Sequence, residues 1–235
     1  MKQKKKFIGV ILARGGSKGI KNKNLINVAG KPLLYWSLKD CINSKKLENF
    51  WVSSDSHKIL NYAKKFGAKS ILRPKKISND KSSSEEGWAH AITVIEKKGI
   101  QFENVLGIQA TSPIRGASIF DNAINLFIKK KYDSMFSATV IKDHFIWHKK
   151  KSKLFSNYDY KNRLPRQYIK EQYLENGSFF IFKKNLFKKN KCRMFGKIGV
   201  FIQPIFESFQ IDESHDIPLI ESIIKYFKNK KNVKK

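Results

Sequence analysis

Cysteine is scarce. Cys41 and Cys192 are the two thiols in 235 residues, too few for a disulfide framework, and we expect a reducing, cytoplasmic setting. No apolar run approaches the roughly 18 residues of a membrane span. Acidic residues are also few, 19 Asp and Glu against 48 Lys and Arg, for a net charge of +29. Among those cations arginine is rare. Arg14, Arg73, Arg115, Arg163, Arg166 and Arg193 stand against 42 lysines scattered in pairs and triplets. A nucleic-acid surface more often mixes arginine with exposed aromatics. The excess therefore reads mainly as solvated faces, with a smaller part favouring an anionic substrate. The five histidines show no metal-binding spacing.

What remains is ample core material, with 41% of residues hydrophobic, enough for one α/β domain. The basic start Lys2–Lys6 followed by apolar Phe7–Ala13 imitates a leader. The apolar part is short and runs straight into Arg14-Gly15-Gly16, so it is expected to be a buried first strand. Further strands are expected at Asn49–Ser53, Ser70–Leu72, Val105–Gln109, Ser134–Val140, Leu174–Phe182, Gly199–Gln203 and Phe209–Ile211. Helices are expected from Pro32 to Ile42, from Asp55 or Ser56 to Phe66, through Trp88 to Lys98, over Ala117–Lys129, and over Ile217–Phe227 with Ser214 as its cap. Lys228–Lys235 is expected to fray. The alternation predicts a three-layer αβα domain with a mainly parallel sheet. Residues 141–173 carry no helical period and read as an inserted arm of short strands and loops.

The strongest local signal is Arg14–Asn24. Glycines let backbone amides approach an anion, and Arg14, Lys18, Lys21 and Lys23 place four cations within ten residues. The loop follows the first strand, where ligands bind in open α/β sheets. It is neither a Walker loop nor G-x-G-x-x-G.

Several segments, in order, resemble the acylneuraminate cytidylyltransferases, the CMP-sialic acid synthetases. They are Ile11-Leu12-Ala13-Arg14-Gly15-Gly16-Ser17-Lys18-Gly19, Lys23-Asn24-Leu25, Gly30-Lys31-Pro32-Leu33, Val52-Ser53-Ser54-Asp55-Ser56, Arg73-Pro74 with Asp80–Ser84, Gln109-Ala110-Thr111-Ser112-Pro113-Ile114-Arg115, Arg166-Gln167, Asn176-Gly177, and Asp212 with Asp216. The resemblance spans roughly residues 7–221. It implies a nucleotide-diphospho-sugar transferase-like fold. The implied reaction is CTP plus a nine-carbon 2-keto-3-deoxy sugar acid giving a CMP-sugar and pyrophosphate, with Mg²⁺. It further implies that Arg14, Lys23 and Lys18 are catalytic contacts to the phosphates. Ala13, Gly15, Ser17 and Asn24 shape the nucleotide loop, and Arg73, Lys81 and Ser84 read the cytosine. Gln109, Arg166 and Gln167 meet the sugar acid, and Asp212 is the metal ligand. The arm is implied to build a homodimer, with Arg166 reaching the partner's site.

The sequence departs from this pattern in places. Gln210 stands where relatives typically carry a second acid, so either the metal leans on Asp212 and the phosphates, or Asp216 or Glu207 helps, or the metal site is weakened. Trp147, Lys170 and Leu174-Glu175 also differ, which bears on the identity of the sugar. An eight-carbon sugar acid is the nearest alternative substrate. A basic nucleic-acid binder is the alternative of a different class, and an inactive scaffold a third. No nucleic-acid or membrane partner is expected.

Overall fold

The computed structural model describes residues 6–116, 118–142 and 144–232, with side chains to residue 227. The expectation for Ala117 and the extreme ends of the chain lie outside the described residues.

In chain order the elements begin with β1 (Phe7–Leu12), the short pair β2 (Asn27–Val28) and β3 (Lys31–Pro32), α1 (Leu33–Asn43), β4 (Leu47–Ser54), α2 (His57–Lys64) and β5 (Lys69–Leu72). They continue with α3 (Ser84–Lys97), β6 (Asn104–Gln109), α4 (Ile119–Lys130), β7 (Ser134–Ile141), β8 (Trp147–Lys150) and β9 (Lys153–Ser156). The chain closes with β10 (Gln172–Lys183), α5 (Lys184–Asn190), β11 (Ile198–Ile202) and α6 (Asp216–Asn232).

Seven strands form one sheet in the order β11-β7-β10-β6-β1-β4-β5. All neighbours run parallel except β10, which lies antiparallel between β6 and β7.

The period of two along each strand explains the layers. Phe7 and Ile11 of β1 face one way, into a cluster with Leu34 and Leu38 of α1, Ile59 of α2, and Phe120 and Ile124 of α4. Ile8 and Val10 face the other way and meet Trp88, Ile92 and Ile95 of α3 and Phe187 of α5. A sheet buried on both faces needs the near-continuous apolar strands that the sequence displays. A third cluster, with Val28, Leu33, Trp36, Ile211, Ile220 and Ile224, seats α6 beside the short β2–β3 pair.

The three-layer αβα fold and the mainly parallel sheet are as expected. Two local expectations are corrected. Phe209–Ile211 is not a strand; its polar groups serve a loop, with the Ile211 amide donating to the Thr111 carbonyl at 2.8 Å. The last helix begins at Asp216, two residues after the expected cap Ser214, and its backbone stays helical to Asn232, within the stretch 228–235 expected to fray, of which 233–235 lie outside the described residues. Helix α5 was not anticipated, because its lysines and asparagines hide a period carried by the buried Phe187. Within the expected arm, β8 and β9 form a separate hairpin.

Candidate active site

The C-terminal ends of β1, β5 and β6 open onto a cleft of about 610 Å³. Leu12, Arg14, Ser17, Lys18, Lys23 and Asn24 line it from the loop after β1. Arg73 and Ser78–Asp80 with Ser82–Ser84 form a second wall, Gln109–Thr111 the floor, and Asp212 with Glu213 the far rim. Segments up to about 200 residues apart in sequence thus meet at one edge of the sheet.

The loop after β1 is held by its own chain. The Asn24 carboxamide donates to the Arg14 carbonyl at 2.9 Å, and the Gly15 amide donates to Asp55 Oδ1 at 2.7 Å. At Gly19 the loop passes so close to the rim that a Cβ would stand 2.7 Å from the Asp212 carbonyl. A side chain there would push apart the two lips that carry Lys18 and Asp212. Lys23 Nζ closes the same gap, donating to the Ile211 carbonyl at 3.1 Å and pairing with Asp212 Oδ1 at 3.0 Å.

Arg73 is 6% exposed. Its Nε donates to Ser78 Oγ at 3.0 Å, and no other hydrogen-bond partner of its guanidinium is found among the described residues. Burial presses its pKa below the usual arginine range, partly offset by Asp55. Such a group favours a ligand oxygen or ring nitrogen that accepts from its remaining N–H groups. Helix α3 starts beside it with a capping box, Ser83 accepting from the Glu86 amide and the Glu86 carboxylate accepting from the Ser83 amide.

One carboxylate in the cleft was not anticipated. Asp80 pairs with Arg14 at 2.9 Å and with Lys18 at 3.2 Å. Hydrogen bonding from Lys18 above all holds its carboxyl below the usual aspartate range; desolvation opposes this, and the charges of Lys18 and Arg14 add to the lowering. Glu213 was likewise unforeseen. The acid-poor composition makes each acid near the basic loop worth noticing, but a contact between distant loops leaves no periodic trace in the sequence.

The structure gathers Arg14, Ser17, Lys18, Lys23, Asn24, Arg73, Ser84, Gln109 and Asp212 around this cleft. Other expected site residues stand elsewhere. Ala13 is buried in the core beneath the loop, and the Gly15 amide is engaged by Asp55. Lys81 is absent from the lining, and its amide is spent on Asn79 Oδ1 at 2.9 Å, so that N–H is not presented to a base. Arg166 and Gln167 line a separate hollow with Val140 and Lys142.

Among the described residues no group of three His, Cys, Asp or Glu side chains is arranged to hold a metal ion. Gln210 is committed on both sides, donating to the Asn176 carbonyl at 2.7 Å and accepting from Thr111 Oγ1 at 3.1 Å. The expected helpers are committed too. Asp216 accepts from the Asp212 and Glu213 amides, and Glu207 accepts from Gln203. Asp212 stands exposed at the rim with Oδ1 paired to Lys23.

A doubly covered, mainly parallel sheet with a cationic cleft at its C-terminal edge is an open α/β architecture, whose ligands bind at the strand ends. A family profile described as Cytidylyltransferase matches residues 8–232, and the chain belongs to that family. It is 33% identical over 230 residues to an N-acylneuraminate cytidylyltransferase of Oncorhynchus mykiss, covering 96% of this chain and 52% of the relative. It is 27% identical over 226 residues to a pseudaminic acid cytidylyltransferase of Campylobacter jejuni, covering 94% and 97%. The chain thus spans about half the length of the fish relative and nearly all of the Campylobacter one. In fold it is similar to a CMP:2-keto-3-deoxy-manno-octonic acid synthetase solved with CTP, with a TM-score of 0.67, 13% identity, and coverage of 94% of this chain and 99% of that one.

Proposed function

We propose that this chain transfers CMP from CTP to the anomeric hydroxyl of a nine-carbon 2-keto-3-deoxy sugar acid, of N-acylneuraminate, legionaminate or pseudaminate type, and releases pyrophosphate. The observation that carries this reading is the single cleft in which Arg14, Lys18 and Lys23 stand near one end and the buried Arg73 beside the serines of α3 stands in the wall. Tail cations and a hydrogen-bonding wall are what a pyrimidine triphosphate needs. The relatives' names add the acidic sugar.

In the reaction the anomeric oxygen bonds to the α-phosphorus, the bond to pyrophosphate breaks, and the hydroxyl proton leaves. Charge grows on the phosphoryl oxygens and on the leaving group. Fixed cations lower that barrier because they need no reorganisation as the charge develops. On this reading Arg14 and Lys18 exchange Asp80 for the nucleotide's phosphates, and Lys23 supports them from the rim. Arg73 and Ser84 hold the cytosine edge, where a purine would leave buried donors unpaired. The Gln109 carboxamide on the cleft floor faces the sugar acid. Mg²⁺ is fitted by Asp212 together with the substrate's phosphates, since this ion commonly takes only one or two protein carboxylates; when bound it neutralises phosphate charge.

Two copies are expected to associate through the arm. It exposes Ile146, Trp147, Leu154, Phe155, Leu164 and Tyr168, an apolar surface that is unusual on a lysine-rich protein. Arg166 and Gln167 at the base of that arm are then the residues offered to a neighbour's sugar acid.

The test supplies CTP, Mg²⁺ and a panel of eight- and nine-carbon 2-keto-3-deoxy acids, and follows pyrophosphate. Turnover is expected with at least one nine-carbon acid, with CTP preferred over UTP, ATP and GTP. Silence with every acid would overturn the reading.

A further inference from the structure

The floor of the cleft contains a break in the sheet. Strands β6 and β10 pair from Asn104↔Lys183 to Ile108↔Phe179, and there the ladder stops. The next residues, Gln109 and Ser178, would form the following rung but do not pair. On its other side β10 is irregular as well, its register to β7 shifting between Glu175 and Phe180. The backbone therefore splits on the β10 side of Gln109, while its other edge stays in register with Leu12 of β1.

Arg115 fills that split. It lies in the loop after β6, outside helix and strand, and its side chain is wholly buried. Nη2 donates to both orphaned carbonyls, Gln109 at 2.9 Å and Ser178 at 3.0 Å. Nε donates to Ser178 Oγ at 2.9 Å. Nη1 reaches α1, donating to Ser37 Oγ at 3.1 Å and Asp40 Oδ2 at 3.3 Å. The planar fork suits this task because its donors point in fixed directions.

Beside the fork lies the Gln109 end of the cleft floor. Gly177, with φ of +61°, bends β10 there; a Cβ on it would sit 3.0 Å from Gln210 Nε2 and 3.4 Å from Gln109 Oε1. The two carboxamides thus converge over a stretch of backbone whose missing rung is supplied by one guanidinium.

We propose that Arg115 is a positioning residue for the sugar acid: it bridges the parted ends of β6 and β10 and so sets the Gln109 carboxamide. This rests on the reading that Gln109 faces the acid. Arg115 touches no substrate and acts through Gln109. Its loss moves the acid-binding floor and leaves the Arg73 wall, on the far side of β1, in place.

Arg115→Met alone strands a buried Asp40 carboxylate and endangers the fold. Two other variants avoid this. Arg115→Met with Asp40→Asn removes both charges together, and Arg115→Lys keeps the charge but loses the fork. Each is compared with wild type in thermal melting and in steady-state kinetics, using CTP and N-acetylneuraminate or whichever nine-carbon acid the wild type turns over. Both variants are expected to fold, with KM for the acid raised about tenfold or more through misplacement of a binding group and KM for CTP unchanged. Adding Gln109→Ala is expected to raise the acid KM no further, because residues acting through one another are not additive. Folded variants with a wild-type acid KM, or a Gln109→Ala effect that adds in full, would overturn the proposal. A wild type that releases no pyrophosphate with any acid would instead sink the parent reading, and this one with it.

Discussion

Arg14 stands one third exposed, against a single carboxylate on the opposite wall. Its value lies in being fixed before substrate arrives: the Arg14 carbonyl is held by Asn24, and the neighbouring Gly15 amide by Asp55. A cation placed in advance stabilises developing phosphoryl charge better than one that must be gathered during the reaction. Arg14→Ala is therefore expected to lower kcat/KM by about 10²-fold or more while leaving the melting temperature near wild type. Steady-state pyrophosphate release with a thermal melt checks this, and a near-normal rate would take Arg14 out of the mechanism. At this scale the cations were legible, because four of them crowd a glycine-rich stretch. Their partners were not. Asp80 comes from a loop whose motif says nothing of its reach to Arg14, and the local bond from the Lys81 amide to Asn79 leaves no mark in that motif. Gln210 was visible as an amide in place of an acid, yet its double commitment to Asn176 and Thr111 depends on three segments folding together.

Helix α3 links the core to the cleft. Trp88 is fully buried against Phe180 and Phe182, while the first turn, from Ser84, lines the cleft. Between them stands the reciprocal cap of Ser83 and Glu86. Ser83→Ala is expected to destabilise the protein by about 1 kcal/mol, which for a domain of this size lowers the melting temperature by about 2–4 °C. A calorimetric scan measures it; no shift would mean that the first turn is held by tertiary contacts alone. Elements were readable where the apolar period was clean, as in β1 and α1. They were lost where polar residues carried the pattern, as in α5, and where β-branched and aromatic residues suggested a strand, as at Phe209–Ile211. There tertiary hydrogen bonds decide, and propensity does not.

For the molecule as a whole, the uneven distribution of apolar surface matters most. The αβα body packs two hydrophobic layers on the faces of its sheet and exposes single large residues such as Ile42, Leu72 and Ile198, whereas the arm exposes several within one short segment, among them Trp147, Leu154, Phe155 and Tyr168. Association through this surface predicts a dimer in sedimentation velocity. Leu154→Asp together with Tyr168→Asp is expected to shift the chain toward monomer without unfolding the body. A monomeric wild type, or a variant that sediments unchanged, would show that the arm serves something else. The fold class followed from the rhythm of strands and helices. The reversal of β10 did not, because strand direction is set by which connections cross the sheet and is not written in the strand itself.

Asp80 gives the cleft an internal counterion. Its carboxylate already answers Arg14 and Lys18, so a chain of net charge +29 does not present those two cations bare to every passing polyanion. An incoming triphosphate enters by trading places with a tethered anion, and fewer mobile ions are shed than the count of cations suggests. Raising the ionic strength then weakens nucleotide capture less steeply than it would at an unguarded site.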